Sequence, residues 1–530
     1  MENSCENCQY TTCSRLHSYD AQECKLSGRE PCQECSQMAK LDSEIAKVHS
    51  QLVQLAQKRH ALKAKVNQRH GSLIHRLPLE ISSRIFAAYV HRVYDNFNPE
   101  KAAESNYTRD WYPALFLSSI CATWRKIALA TPEIWRFINI PLLEDDPDVD
   151  LKIELLKECV ARANRRTLFI GVFQFQLNED PRFSELEEKL DTLTPLFAAI
   201  QEIACRSEEI TLWGFPPGAL GLLIPGDTPN LRAVRIAKAF RFFEDGDGPV
   251  GWNTGDFPLA GPLLRTLEFG DETYSLLEFA DTDWETITTV TMSAIEVKEG
   301  IDILRQASCL TSCSFVFESH NKDHITPVVN SALQNLHINF SQCGADSIQK
   351  FANGVTLPSL RELSLRTSAL PNMKPLFERS QCQIRTLTLI LDKKIPEDDV
   401  FKLLNILPSI EHFVLETSFA TPKPITNKFF ARLCDPRFAS TGASAKPPLL
   451  PKLTSFSYAG NMDFTWPAFL QIFPPENDVH TAGRPLSQVS LRLKLPKGKI
   501  GDLSVVTSLR QIRQSKIKLV VEDHNGKDLL

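Results

Sequence analysis

The sequence predicts an α/β chain in which an N-terminal helix and a small three-helix domain precede an irregular solenoid built on a parallel sheet. Three observations predict it. A stretch near residue 50 carries apolar residues at alternating spacings of three and four, the period of a helix seam. Three short apolar-striped segments follow between residues 73 and 141. Beyond them one pattern recurs: an apolar residue, two others, an apolar residue, one other, an apolar residue. Most successive starts lie 23 to 27 residues apart, a period at which one strand and its return connector form a unit that buries itself only against its neighbours.

The chain opens on a cysteine-rich segment, residues 1–36. Six of its 14 cysteines fall there, and Cys5 with Cys8 and Cys32 with Cys35 have C-x-x-C spacing. Each such pair presents two thiolates from one tight turn, and the four together would complete the tetrahedral site that zinc prefers. Two readings stand side by side: a structural zinc site, or a tail without fixed structure whose thiols pair only in sequence. A catalytic zinc is not expected, since so short a segment builds no shaped cavity. No other cofactor is predicted.

Residues 38–70 hold neither Gly nor Pro, and Leu41, Ile45, Val48, Leu52, Leu55, Leu62 and Val66 form a heptad seam over about four repeats. The seam is compatible with a homodimeric coiled coil or with one helix laid on the next domain.

The helical domain spans 73–141. Pro78 starts its first helix and Glu80 suits the first turn. Ile81, Ile85 and Phe86 follow on one face. A second stretch carries Leu117, Ile120, Cys121, Trp124 and Ile127, and Thr131-Pro132-Glu133-Ile134-Trp135 closes the domain. Taken in order, Leu-Pro-x-Glu-Ile-x-x-x-Ile-Phe, Ile-Cys-x-x-Trp-Arg-x-Ile-Ala and Thr-Pro-x-x-Trp resemble the F-box motif over about Ile74 to Ile140. The likeness is to F-box-like proteins expanded in mushroom-forming fungi. That resemblance implies that Leu77, Pro78, Glu80, Ile81, Ile85 and Phe86 help form the surface that docks the Skp-family adaptor of a cullin-RING ubiquitin ligase. It implies also that Ile120, Cys121, Trp124 and Ile127 complete the domain core and part of that surface. The sequence departs from the motif at His91 to Asp110, a longer and more polar interval than the compact motif has.

An acidic, proline-broken linker is expected at 142–151, where Glu144-Asp145-Asp146-Pro147-Asp148 stands. The solenoid then runs over 152–530. Its pattern is clear at Leu231, Leu264, Ile287, Leu310, Leu333, Leu360, Ile384, Ile410 and Leu453 and matches the L-x-x-L-x-L strand of leucine-rich repeats. The Asn or Cys expected after each strand is mostly missing, so the repeats are irregular. The sequence leaves open whether 486–495 and 517–520 cap the array or add repeats. The small-residue and Pro stretch from Thr441 to Pro448 is expected to interrupt it.

Charge and motifs bound the function. A net charge of -5, with 59 Lys and Arg spread along 530 residues, gives no electrostatic footprint for nucleic acid or an anionic membrane. Neither a secretory leader nor an apolar run of spanning length occurs, so a cytoplasmic or nuclear chain is expected. No phosphate loop, H-E-x-x-H, nucleophile elbow or dinucleotide fingerprint is found. A nucleophile couple could be assembled from Cys309 or Cys343 with His320 or His337, but scattered cysteines in apolar strands are usually inert packing residues. The expected function is therefore not enzymatic. One reading is a ligase subunit that recruits a target protein through its repeats. The other is a ligase-independent scaffold or sensor that dimerises through the N-terminal helix.

Overall fold

The computed structural model describes residues 33–69, 77–99, 101–102, 108–142, 148–174, 183–214, 228–237, 262–270, 282–318, 325–391, 395–417, 425–434, 449–473, 486–495, 500, 502–515 and 517–530. The chain divides into two compact units, Met1–Arg84 and Ile85–Leu530, and the division falls inside a helix.

In the first unit, α1 covers Gln33–Arg69. It begins three residues before the end of the segment read as cysteine-rich, because nothing after Cys32 breaks a helix. Its seam is exposed: Leu41, Ile45, Val48, Leu52, Leu55, Leu62 and Val66 each keep half or more of their accessible surface. Next, α2 covers Leu79–Asp95. The Pro78 carbonyl accepts from the amides of Ile81 and Ser82 at 3.1 and 3.0 Å, which closes the first turn.

The second unit is built on a 14-stranded sheet, all parallel, whose order follows the chain. Its first three strands are β1 (Phe137–Leu142), β2 (Leu168–Gln174) and β3 (Ser207–Trp213). There follow β4 (Ala233–Ala237), β5 (Thr266–Phe269), β6 (Thr289–Ile295), β7 (Ser312–Phe317), β9 (Asn335–Asn339) and β11 (Glu362–Arg366). The series ends with β12 (Thr386–Leu391), β13 (His412–Thr417), β14 (Ser455–Asn461), β15 (Gln488–Lys494) and β16 (Lys518–Asp523). A separate two-stranded pairing joins β8 (Val328–Val329) to β10 (Val355–Thr356).

Every one of the nine repeat motifs forms a strand that starts two residues after its first apolar position. The alternation decides the faces: in β7, Cys313, Phe315 and Phe317 are buried while the residues between them are half-exposed. Neighbouring repeats interlock through phenylalanines, with Phe317 stacked on Phe340 at 5.2 Å and both against Phe351.

Two long intervals do not break the sheet. β4 pairs directly with β5, and β13 with β14. Thr441 to Pro448, expected to interrupt the array, lies outside the described residues, and the strands on either side of it pair. Helix Asn427–Leu433 fills the latter interval, placing Phe429 5.9 Å from Phe456. β15 and β16 add strands to the same sheet. The Glu522–Asp528 bridge folds the C-terminal residues back antiparallel.

The sheet also begins earlier than the repeat pattern predicts. β1 lies inside the segment read as the helical domain, and helix Val149–Ala163 begins inside the segment read as the acidic linker, capped by the Asp148 carboxylate on the Leu151 amide. Both faces of these first strands are covered, so β1 is buried at all six positions and shows no alternation.

Candidate functional site

The ten residues of the motif separate by burial. Phe86 and Ile127 are 1% and 6% exposed and belong to the core. Leu77, Cys121 and Trp124 are half-buried. Pro78, Glu80, Ile81, Ile85 and Ile120 are exposed.

The local sequence explains each placement. Glu80 stands in the first turn of α2 and Arg92 in the last, complementing the helix dipole at both ends. The next helices are α3 (Thr108–Trp111), α4 (Pro113–Ile120) and α5 (Ala122–Leu129). Cys121, in extended backbone, separates α4 from α5, and its sulfur accepts from the Trp124 amide at 3.5 Å to start the latter. Phe86 meets the Trp124 ring at 5.0 Å, which holds α2 to α5.

The last block of the motif terminates α5. The Thr131 hydroxyl donates to the Ile127 carbonyl at 2.7 Å, and the buried Trp135 indole donates to the Ala128 carbonyl at 2.8 Å. Two orphan carbonyls of the helix end are satisfied in this way. Arg162 lies over the Trp135 ring at 4.4 Å. What remains outside are apolar side chains on packed helices: Ile85, Ile120 and Leu129 are 42%, 46% and 45% exposed. In the first unit Leu79 and Ile81 are 50% and 41% exposed.

The second half of α2 and the interval that departs from the motif cover the first strands of the sheet. Tyr94 packs on Phe137 and Phe169 at 4.8 and 5.5 Å. Phe97 and Trp111 pack on Phe173 at 5.2 and 5.3 Å. Gly171 permits this, because a Cβ there would strike the Phe173 ring.

Two ionic clusters fasten the contact. The Tyr94 hydroxyl donates to Glu209 Oε1 at 2.6 Å. Arg235 also donates to Glu209 and reaches Glu268 at 2.8 Å. Burial pushes the Glu209 carboxyl above the usual carboxylate range against the pull of Tyr94 and Arg235. Burial, together with the Glu209 charge, raises the Tyr94 phenol. Arg136 donates to Glu208 at 2.6 Å and to Glu133 at 3.0 Å, with its guanidinium 4.4 Å from the Phe169 ring. Apart from Glu133, three residues before Arg136, the partners are 26 to 115 positions away, which is why sequence reasoning missed them.

From β4 onward the residues on this face of the sheet are mostly half-exposed or exposed among the described residues. Its in-register lanes are polar: Thr291, Ser314, His337, Ser364 and Thr388 align in one, and Thr289, Ser312, Asn335, Glu362, Thr386 and His412 in the next. Short hydroxyl and amide side chains dominate these lanes and give a row of donors and acceptors across the parallel strands.

Of the zinc ligands expected, Cys5, Cys8 and Cys32 lie outside the described residues, and Cys35 is in the first turn of α1. Among the described residues no cluster of three or more His, Cys, Asp or Glu is arranged to hold a metal. His320 also lies outside the described residues, and Cys309 is exposed. The Cys343 thiol is buried, donates to the Phe317 carbonyl at 3.1 Å, and is pushed up to about 11 by burial. No helix among the described residues is long and apolar enough to cross a membrane.

No family model matches the chain, and no curated protein matches it in sequence. Among solved structures, the crystal structure of the Rad7 and Elc1 complex in yeast aligns over 82% of this chain and 97% of that chain, at 12% identity and a TM-score of 0.29. A superposition that loose carries no function from one protein to the other.

Proposed function

We propose that this chain recruits a target protein to a cullin-RING ubiquitin ligase, with its motif helices docking a Skp-family adaptor and the open sheet face holding the target. The observation that carries the reading is the exposure of Ile85, Ile120 and Leu129 on helices whose opposite sides are tightly packed. Helix-docking interfaces draw most of their energy from a few such apolar anchors. The motif that resembles the F-box supplies the identity of the partner, and Phe86, Ile127 and Trp135 support the anchors from behind. No group on this chain is assigned a catalytic role. Its contribution is proximity: target and ubiquitin-loading enzyme are brought together, and the bond-making belongs to the partners.

The experiment is co-purification of the full chain with the host's Skp-family adaptor. The pair Ile85→Asp with Ile120→Asp, exposed positions that leave the core intact, should abolish the complex while circular dichroism is unchanged. Leu77→Ala with Pro78→Ala provides an independent disruption at the start of the motif. A folded wild-type chain that never retains the adaptor overturns the reading.

A further inference from the structure

Each apolar residue of the α1 seam keeps more than half of its surface open to solvent, and the heptad registry says what covers it. Leu41, Val48, Leu55 and Leu62 occupy the d positions; Met38, Ile45, Leu52, Arg59 and Val66 occupy the a positions. The seam residues are 51–63% exposed, too large a continuous stripe to remain bare on a stable helix in water. The flanking charges are unevenly distributed. Asp42 and Glu44 stand beside the first half of the seam, whereas Lys58, Lys63 and Lys65 stand beside the second, with Arg59 within it.

We infer that α1 is covered by α1 of a second copy of this chain, packed antiparallel. In the register that sets Leu41 against Val66, Ile45 against Leu62 and Leu52 against Leu55, the apolar layers run the length of the seam. The e positions then place Asp42 beside Lys63 of the second copy, and the g positions place Glu44 beside its Lys65. Symmetry doubles both pairs. Arg59 lies opposite Val48, where its aliphatic stem covers the valine and its guanidinium reaches water.

A parallel, in-register dimer makes the opposite arrangement. It sets Arg59 against Arg59 within the seam and Lys58 beside Lys63 of the second copy, so the basic halves repel. Charges at e and g choose orientation in coiled coils, and here they choose antiparallel. The inference is independent of adaptor docking, which uses other helices.

Sedimentation equilibrium on the full-length chain tests it. The wild type should be dimeric at micromolar concentration, and Leu55→Asp should make it monomeric with its circular dichroism retained outside α1. Lys63→Glu with Lys65→Glu should weaken the dimer by ~10-fold or more, since four attractive pairs become repulsive. Asp42→Lys with Glu44→Lys should do the same, and mixing the two charge variants should restore a heterodimer.

A monomeric wild type overturns the inference and leaves the adaptor reading standing. A dimer that survives Leu55→Asp places the interface elsewhere. Tighter association of the Lys63→Glu, Lys65→Glu variant, in which Lys58 gains an opposite charge beside it, identifies a parallel pair and overturns the antiparallel assignment.

Discussion

Replacing Tyr94 by Phe removes one oxygen from the contact between α2 and the sheet and nothing else. The ring keeps its packing on Phe137 at 4.8 Å and Phe169 at 5.5 Å, so little apolar burial is lost. What disappears is the 2.6 Å hydrogen bond to Glu209, whose carboxylate is buried and retains Arg235 as its principal partner. A hydrogen bond to a charged group contributes about 1.5–3 kcal/mol, and its loss leaves a buried acceptor under-satisfied. The expected cost is therefore about 2 kcal/mol.

In a repeat array that cost is local, because each unit is stabilised by its neighbours. Global unfolding would dilute it. Native-state hydrogen exchange reads it directly: the α2 amides after Ile85 should exchange roughly 30-fold faster, the factor that about 2 kcal/mol implies. Amides of β9 to β13, remote from the contact, should be unchanged. A double-mutant cycle with Glu209→Gln isolates the pair, and a coupling of about 1 kcal/mol or more is expected. Unchanged α2 exchange, or a full Tyr94→Phe penalty in the Glu209→Gln background, would refute the claim that this hydrogen bond fastens the helix to the sheet.

Two further outcomes follow from buried titratable groups. Burial holds the folded-state pKa of Glu209 above its ordinary 4.5. As pH rises past that value the unfolded chain ionises first, so the contact between α2 and the sheet should lose stability until the pH passes the raised folded value. Below pH 4.5 the contribution is fully present. Exchange of the α2 amides measured across this range should show the decline in the wild type and a flatter profile in Glu209→Gln. Separately, iodoacetamide near neutral pH should modify exposed Cys309 readily and Cys343 slower by roughly 100-fold or more, because the latter thiol is buried and pushed up to about 11. Mass spectrometry of the labelled peptides checks this, and equal rates would remove Cys343 from the core.

The strands that were legible in the sequence are those with one open face. From Leu231 onward each strand buries alternate residues, and the L-x-x-L-x-L pattern is the imprint of that one-sided burial. β1 to β3 escaped notice because α2, Phe97 and Trp111 cover their second face, which replaces alternation with runs such as Phe137 to Leu142. The motif helices were legible too, but the division of their residues was not. Phe86 and Ile85 are adjacent apolar residues at positions where sequence expects one docking surface, and the structure buries the first and exposes the second. The helix turns by about 100° per residue, so neighbours in sequence point to different surroundings, and only the position of Trp124 reveals which side is inside.

The interval from His91 to Asp110, which departs from the motif, has a structural consequence that the proposed function uses. It extends α2 to Asp95 and supplies Phe97 and Ala102, which cluster with Trp111, the residue after it, on Phe173 of β2. Together with β1, which begins just after the last block of the motif and pairs with β2, this contact joins the motif helices to the sheet. Here the anchors Ile85 and Ile120 stand on helices packed directly onto strands whose continuation forms the open polar lanes. A protein held on those lanes would be presented to an adaptor-bound partner at a fixed separation, and fixed separation is what makes proximity effective. Loosening this contact without touching either surface, as Tyr94→Phe does, should then leave adaptor capture intact while lowering the efficiency of target modification. That split distinguishes a rigid presenting device from two binding sites that merely share a chain.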